Sequence, residues 1–529
     1  MSKRLLPIFV VLFLASSLFG QETAKVSGVV TDAETGEPLP GANVIIQGTS
    51  FGAATNADGE YTILQIQPGQ YTISASFIGY ATLQKQEVQL TAGLTTRLNF
   101  ELDPAAIEGE VVEVVVERPL VEPTATNAVR NMTRDEFENI ATRNVQTFYT
   151  MQSGVVEQNG EIHVRGGRSD ETGYVLEGAS TKSIVGADNV VSTIPEALEQ
   201  VNVQAGGYSA EMGNANAGIV QQTLRTGPEQ LNIMAQYETD ALASGLGNTY
   251  DYGYQDFTGT LGGPLFTNDH RFFIAASRNM TDDYAPQFWY GADFDTLYDD
   301  GSAGQPAGTP SPGPVAWSSG NIPGDRARDR TTFNGSLVFN FNPIRLRLSG
   351  ARTTSSRTAY TSNVGRWDPS FYIFNQDRVA HRDDLNQLLN LKASYFMSSN
   401  TYVEATVSRF NYNFRTYDPK FPRPEADGQG GAVWDLMDYI DNAPESFDGD
   451  PNALAQYGVP DSLYRGNYRT PVNYSFNTFE FQAPGDRATR YFTREQSYWN
   501  FKVDFVSQMQ NHELKFGGNF QPWLVREYE

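Results

Sequence analysis

The side chains best suited to acid–base or metal chemistry are four histidines, His163, His270, His381 and His512. They stand far apart, with no His-x-x-x-His pair among them. Cysteine is absent, which removes thiol nucleophiles, thiolate metal sites and disulfides. No catalytic residue, metal or cofactor is expected. What the residues do offer is non-covalent. Val111-Val112-Glu113-Val114-Val115-Val116-Glu117 is a β-branched run whose backbone groups suit pairing with a sheet edge. It reads either as a strand of the next domain or as a strand that adds to a partner's sheet. Arg165-Gly166-Gly167-Arg168 places two cations on either side of a turn-forming glycine pair.

Elements must position these groups, and composition bounds them. A chain of 529 residues is long enough for two to four domains. Aromatic residues make up 12%, including 27 Tyr and 32 Phe, which together with 48 Gly favours strands joined by tight turns. Mean hydropathy is -0.42, and no apolar run after the N-terminus is long enough to span a bilayer as a helix. A net charge of -24 excludes nucleic acid as a partner and implies acidic solvated loops. Residues 1–20 read as a signal peptide: Lys3 and Arg4, an apolar stretch from Leu5 to Leu14, and a small-residue exit ending at Gly20. The mature protein is therefore expected to leave the cytoplasm.

Residues 21–102 contain seven short strand-like runs separated by turn words such as Thr35-Gly36 and Asp58-Gly59. That predicts a small β-sandwich. The words SGVVTDAETGEPLPGANVIIQGT and TNADGEYTI resemble the carboxypeptidase-regulatory-like, transthyretin-like domain. With no His and no Cys the unit lacks zinc ligands, so it reads as an accessory module rather than a peptidase. Residues 103–119 are a Pro- and Gly-broken linker that carries the β-branched run.

Residues 120–227 predict an α+β unit. Thr133 and Glu136 form a capping box for a helix continuing through Phe137, Ile140 and Ala141. Strand-like runs follow at Glu161–Arg165, Tyr174–Leu176, Val201–Gln204 and Gly218–Leu224, with a short helix at Pro195–Gln200. The words IHVRGGRSDETGYVLEG and EALEQVNVQAGGYSAEMGNANAGIVQQTLRTG resemble the plug domain of TonB-dependent outer-membrane receptors. Arg165, Gly166, Gly167 and Arg168 lie in the first word; Gly206, Gly207, Gly213 and Gly218 fall where that family has its glycine-rich turns and closing strand. The resemblance places Val112, Glu113, Val114, Val115 and Val116 at the family's TonB box. The SusC-like branch follows its box with Gly-Tyr-Gly; here Glu117-Arg118-Pro119 stands instead.

Residues 228–529 predict about nine long strands, at 231–240, 253–263, 271–280, 331–341, 344–353, 386–396, 401–414, 497–508 and 513–524. In Ile344-Arg345-Leu346-Arg347-Leu348 the apolar residues face one side and both arginines the other. Trp499-Asn500-Phe501-Lys502-Val503 repeats the pattern. Connections alternate between short and very long, which is the pattern of short periplasmic turns and long external loops. The fold class is thus mainly β: a sandwich, an α+β plug and the first strands of a large antiparallel outer-membrane barrel. A barrel holding a plug takes about 22 strands, so the chain is expected to be C-terminally incomplete and unable to assemble alone.

By this resemblance the protein is a receptor importing a scarce ligand across the outer membrane, with its N-terminal domain in the periplasm. TonB with ExbB and ExbD and outer-membrane lipid are the implied partners, with a surface lipoprotein as a further candidate. Arg165 and Arg168 are expected to pair with carboxylates on the barrel wall. A surface adhesin and a secreted peptidase accessory chain are the alternative readings. Iron chelates, cobalamin, glycans and peptides all stay open as ligands.

Overall fold

The computed structural model describes residues 24–104, 111–115, 129–241, 253–282, 328–358, 380–417 and 492–528, apart from a few positions within these stretches, together with five short strands between them. The sandwich holds β1 (Ala24–Asp32), β2 (Asn43–Ile46), β3 (Gly52–Ala54), β4 (Glu60–Ile66), β5 (Gly69–Ser76), β6 (Thr82–Leu90), β7 (Thr95–Arg97) and β8 (Phe100–Leu102). One sheet runs β4-β1-β7, with β8 also on β1. Thr95–Leu102 was expected as one strand. It keeps one register along β1, but the ladder lapses where the Val29 amide donates to Asn99 Oδ1 at 3.1 Å. Val26, Val44, Ile46, Ile73, Leu90 and Phe100 are closed from water between the sheets. Asp32 fixes the following turn by accepting from the amides of Glu34 and Thr35, both at 2.8 Å.

The second sheet of the sandwich has the order β3-β2-β5-β6-β9, where β9 is Val111–Val115. The β-branched run is therefore the edge strand of the preceding domain, laid parallel on β6 with Thr82 opposite Val111 and Gln86 opposite Val115. Sequence reading offered the next domain or a partner chain. The parallel return needs a crossover of some length, and this is why local pattern did not show it.

The α+β unit contains β10 (Val129–Thr133), α1 (Arg134–Glu138), α2 (Val145–Thr150), β11 (Val155–Gln158), β12 (Glu161–Val164), β13 (Thr172–Leu176), β14 (Ala179–Ser180), β15 (Leu198–Gln204) and β16 (Gly218–Leu224). Its sheet order is β10-β15-β16-β13-β14. The Thr133 amide donates to Glu136 Oε2 at 2.9 Å, which is the backward half of the capping box. The helix expected at Pro195–Gln200 is a single 3₁₀ turn, Pro195–Ala197, and the chain is already extended at Leu198.

The last unit is one antiparallel sheet: β17 (Asn232–Thr239), β18 (Gln255–Pro264), β19 (His270–Thr281), then, past the loop strands β20 (Gln287–Trp289), β21 (Tyr298–Asp299) and β22 (Gly320–Ile322), β23 (Arg328–Phe341), β24 (Ile344–Thr358), β25 (His381–Ser398) and β26 (Thr401–Tyr417). The loop strands β27 (Asn473–Phe476) and β28 (Phe479–Gln482) precede β29 (Phe492–Met509), β30 (His512–Phe520) and β31 (Trp523–Tyr528). The strand expected at 513–524 is β30 and β31, both on β29 in one register and parted at Gln521-Pro522, where proline has no amide to donate.

Strands β25 and β29 reach 18 residues, well past the sequence expectation, and their extra length lies toward the long connections. There the apolar alternation ends and charge pairs take over, such as Arg415 with Asp383 at 2.8 Å and Arg278 with Asp329 at 2.8 Å. Below that zone the alternation holds. Arg345, Arg347, Asn500 and Lys502 are buried on the inner face, while Trp499, Phe501 and Val503 are exposed on the outer one. Outward charges would cost about 2–4 kcal/mol each at the bilayer midplane for Arg or Lys. The α+β unit packs against the inner face and shares its core: Phe148, Leu176 and Val220 join Phe273, Phe410 and Tyr498.

Candidate functional site

Three arrangements could carry function, and each is set by an element already described. The first is β9. As the last strand in its sheet it pairs with β6 on one side, and among the described residues no strand covers the other. An uncovered edge of a β-branched strand offers a row of amides and carbonyls to an incoming strand. Val112, Glu113, Val114 and Val115 lie in it, and Val116 falls outside the described residues.

The second arrangement holds the α+β unit in the lumen. Glu177, at φ 53°, and Gly178, at φ 85°, form the tight turn between β13 and β14. Arg347 on β24 grips the Glu177 carboxylate with two hydrogen bonds, Nε to Oε2 at 2.7 Å and Nη2 to Oε1 at 2.8 Å. Arg347 also donates to Thr226 Oγ1 at 2.7 Å and to the Leu224 carbonyl at 2.8 Å. The Leu224 amide donates to Glu177 Oε1 at 2.7 Å, and Asn390 Nδ2 donates to the Glu177 carbonyl at 2.8 Å. Both side chains are shut off from water. Burial alone would raise the Glu177 carboxyl, but the Arg347 guanidinium, with Lys392 and the Leu224 amide, brings it below the ordinary carboxylate range.

The ion pair between unit and wall thus has the opposite polarity to the expected one. Arg168 is exposed and pairs within its own loop, with Asp170 at 3.3 Å and Glu171 at 3.6 Å, and Arg165 is exposed at φ 49°. Neither is placed on a wall carboxylate. A carboxylate in a Glu-Gly turn word reads as a solvated turn residue. Only its pairing with an inward arginine at the right height marks it, and sequence gives no heights.

One glycine from each word is used sterically. A Cβ on Gly167 would sit 2.4 Å from Ala217 Cβ, and one on Gly218 2.7 Å from Val164 Cγ1. Gly166 takes φ 75° beyond Arg165. So Gly167, Ala217, Val164 and Gly218 bring the two sequence words together, β12 against the start of β16. Gly213 is placed just before that strand; Gly206 and Gly207 lie outside the described residues.

The third arrangement is a cavity of about 480 Å³ between the α+β unit and the inner faces of β18, β19 and β23, toward the long connections. Amides and hydroxyls dominate it: Asn144, Asn189, Gln222, Thr258, Ser277 and Asn279. Asp256 is its buried carboxylate, held by Thr258 Oγ1 at 2.7 Å and Asn279 Nδ2 at 3.1 Å, and Arg328 and Arg330 line the same space. Such a lining suits a polar ligand or the water that precedes it. Among the described residues no group of His, Cys, Asp and Glu could hold a metal ion.

Comparison with known proteins agrees with this geometry. The CarboxypepD_reg-like domain family matches residues 26–116, which takes in β9. The TonB-dependent transporter Oar of Myxococcus xanthus is 27% identical over 301 residues, 51% of this chain and 28% of Oar. Most of the relatives this chain matches are TonB-dependent transporters or receptors. A second one, the TonB-dependent receptor SusC of Bacteroides thetaiotaomicron, is 29% identical over 245 residues, 43% of this chain and 23% of SusC. The matched segments therefore span about a quarter of the length of these receptors. Among solved structures, the outer-membrane transporter YddB of Escherichia coli overlays 75% of this chain and 48% of its own at a TM-score of 0.45 and 12% identity. In the terms of those receptors the α+β unit corresponds to a plug and the long strands to outer-membrane barrel strands.

Proposed function

We propose that the protein is a TonB-dependent importer: external loops and the outer side of the plug capture a scarce ligand, and force on β9 remodels the plug. What supports this reading most is the α+β unit clamped against the inner face of the long strands by Glu177 and Arg347, together with the edge position of β9, whose outer side no other described strand covers. A wide barrel without a plug would leak, and a plug without a handle would never open. Edge pairing by TonB supplies the handle by backbone hydrogen bonds alone, so the chemistry needs no catalytic group. ExbB and ExbD are the expected energy source behind TonB, and a surface lipoprotein is a candidate partner at the long loops. The relatives include a receptor named for SusC and a transporter, Oar, and the polar lining of the outer cavity suits a hydroxyl- or amide-rich ligand.

The test compares cells lacking the full-length gene with cells lacking TonB, each grown on limiting ferric siderophore, cobalamin, oligosaccharide or peptide. The expected result is one nutrient on which both strains lose growth. If the gene deletion is silent on every nutrient that requires TonB, import is the wrong reading.

A further inference from the structure

The sandwich does more than hang below the barrel. Opposite Lys25 on β1, strand β4 carries two residues, Leu64 and Gln65, where one would keep register. This bulge holds Gln65 at φ 56°, in the left-handed region that favours glycine. Bulges re-aim side chains, and strain of this kind persists only where surrounding contacts hold it. Here both residues are aimed into the mouth of the barrel.

Leu64 is buried with Tyr402 and Val506 on the inner wall, with Phe396 packed alongside. Gln65 is 2% exposed: its Nε2 donates to Glu404 Oε2 at 2.7 Å and its carbonyl accepts from Arg345 Nη1 at 3.1 Å. Around this plug-like tip the contact continues. Lys25 Nζ donates to Gln508 Oε1 at 3.1 Å, Arg271 Nη2 to the Gly48 carbonyl at 2.5 Å, and Phe51 meets Phe396 edge-on at 6.4 Å. The wall partners lie on β19, β24, β25, β26 and β29, all beside the short turns. A small domain does not bury a leucine and a glutamine of its own surface against a wall it merely passes.

We propose that the sandwich is a second closure of the lumen, seated in the periplasmic mouth beneath the plug, and that a pull on β9 unseats it before the plug is remodelled. The proposal rests on the transport reading. It follows from topology. β9 is already part of the sandwich sheet, so a strand added to its outer edge pulls on the whole sandwich rather than on a loose tether. In chain order β9 stands between the sandwich and the plug, and the sandwich is seated in the mouth below the plug, so a pull toward the periplasm loads the sandwich seat first.

These 529 residues contain no cysteine, so with any cysteine elsewhere in the receptor replaced by serine one introduced thiol reports alone. In the full-length receptor Val506→Cys places a thiol behind Leu64, and its rate of reaction with N-ethylmaleimide is read in cells with and without a protonophore. A second reporter, Ser394→Cys, serves if the first fails to assemble, since Ser394 is buried beside Glu404. The expected result is slow labelling in de-energised cells, faster by roughly tenfold when TonB is active, as for sub-global opening. Adding Leu64→Ala and Gln65→Ala should make labelling fast in both conditions. Fast labelling in de-energised cells with the intact tip overturns the closure. Slow labelling in energised cells, while purified TonB domain binds the receptor, overturns the gate and leaves transport standing. Absence of TonB binding removes the transport reading, and the proposal with it.

Discussion

Glu177 and Arg347 are the residues on which plug and wall depend most directly. Their mutual attraction offsets two desolvation penalties, and removing one partner leaves the other charge buried alone, a loss of about 3–5 kcal/mol. Arg347→Ala in the full-length receptor is therefore expected to loosen the plug, read as faster protease cleavage after β16. An unchanged digestion pattern would mean the clamp is incidental. The pair also sets a pH window. The folded carboxyl lies below its ordinary range, so its stabilisation is complete above that range and lost as pH falls through the folded value. Plug protection should hold at neutral pH and decline only in acid. With Glu177→Gln that acid-dependent component should vanish; if it persists unchanged, other carboxylates carry it.

At the scale of elements, what was legible depended on whether the signal was local. The alternation in Ile344–Leu348 and Trp499–Val503 marked the inner and outer faces because lipid and lumen impose opposite polarity on successive residues. The full reach of β25 and β29 was not legible, because beyond the hydrocarbon a strand no longer needs alternation. The docking of β9 on β6 was hidden for another reason: a parallel pairing across a crossover leaves no trace in spacing. Its consequence is measurable. Residues 24–116 expressed alone should melt above residues 24–104, because β9 covers the β6 edge, and each kcal/mol moves the midpoint of a domain this size by roughly 4–8 °C. Equal midpoints would show that β9 contributes nothing to the sandwich. The bulge at Leu64-Gln65 was equally silent in sequence, since its meaning lies in what it touches.

Over the whole molecule, the plug words and the short–long rhythm of connections located the architecture. The resemblance already implied the order of the three units along the barrel axis; the contacts that hold them there, the Glu177–Arg347 clamp and the seat of Leu64 and Gln65, came only with the structure. The polar cavity lies toward the strand ends that enter the long connections, the clamp in the middle, and the sandwich with β9 at the other end. That order makes the chain a line of force from the periplasmic edge strand to the plug, and the edge strand is the claim everything else hangs on. It is tested most directly by backbone amide exchange on the full-length receptor, with and without purified periplasmic TonB domain. Slowed exchange across Val111–Val115 is expected on adding TonB, and Val115→Pro, which removes one amide from that strand, should abolish it. TonB binding with no change at Val111–Val115, or binding undiminished by Val115→Pro, would contradict the assignment of this strand as the coupling element.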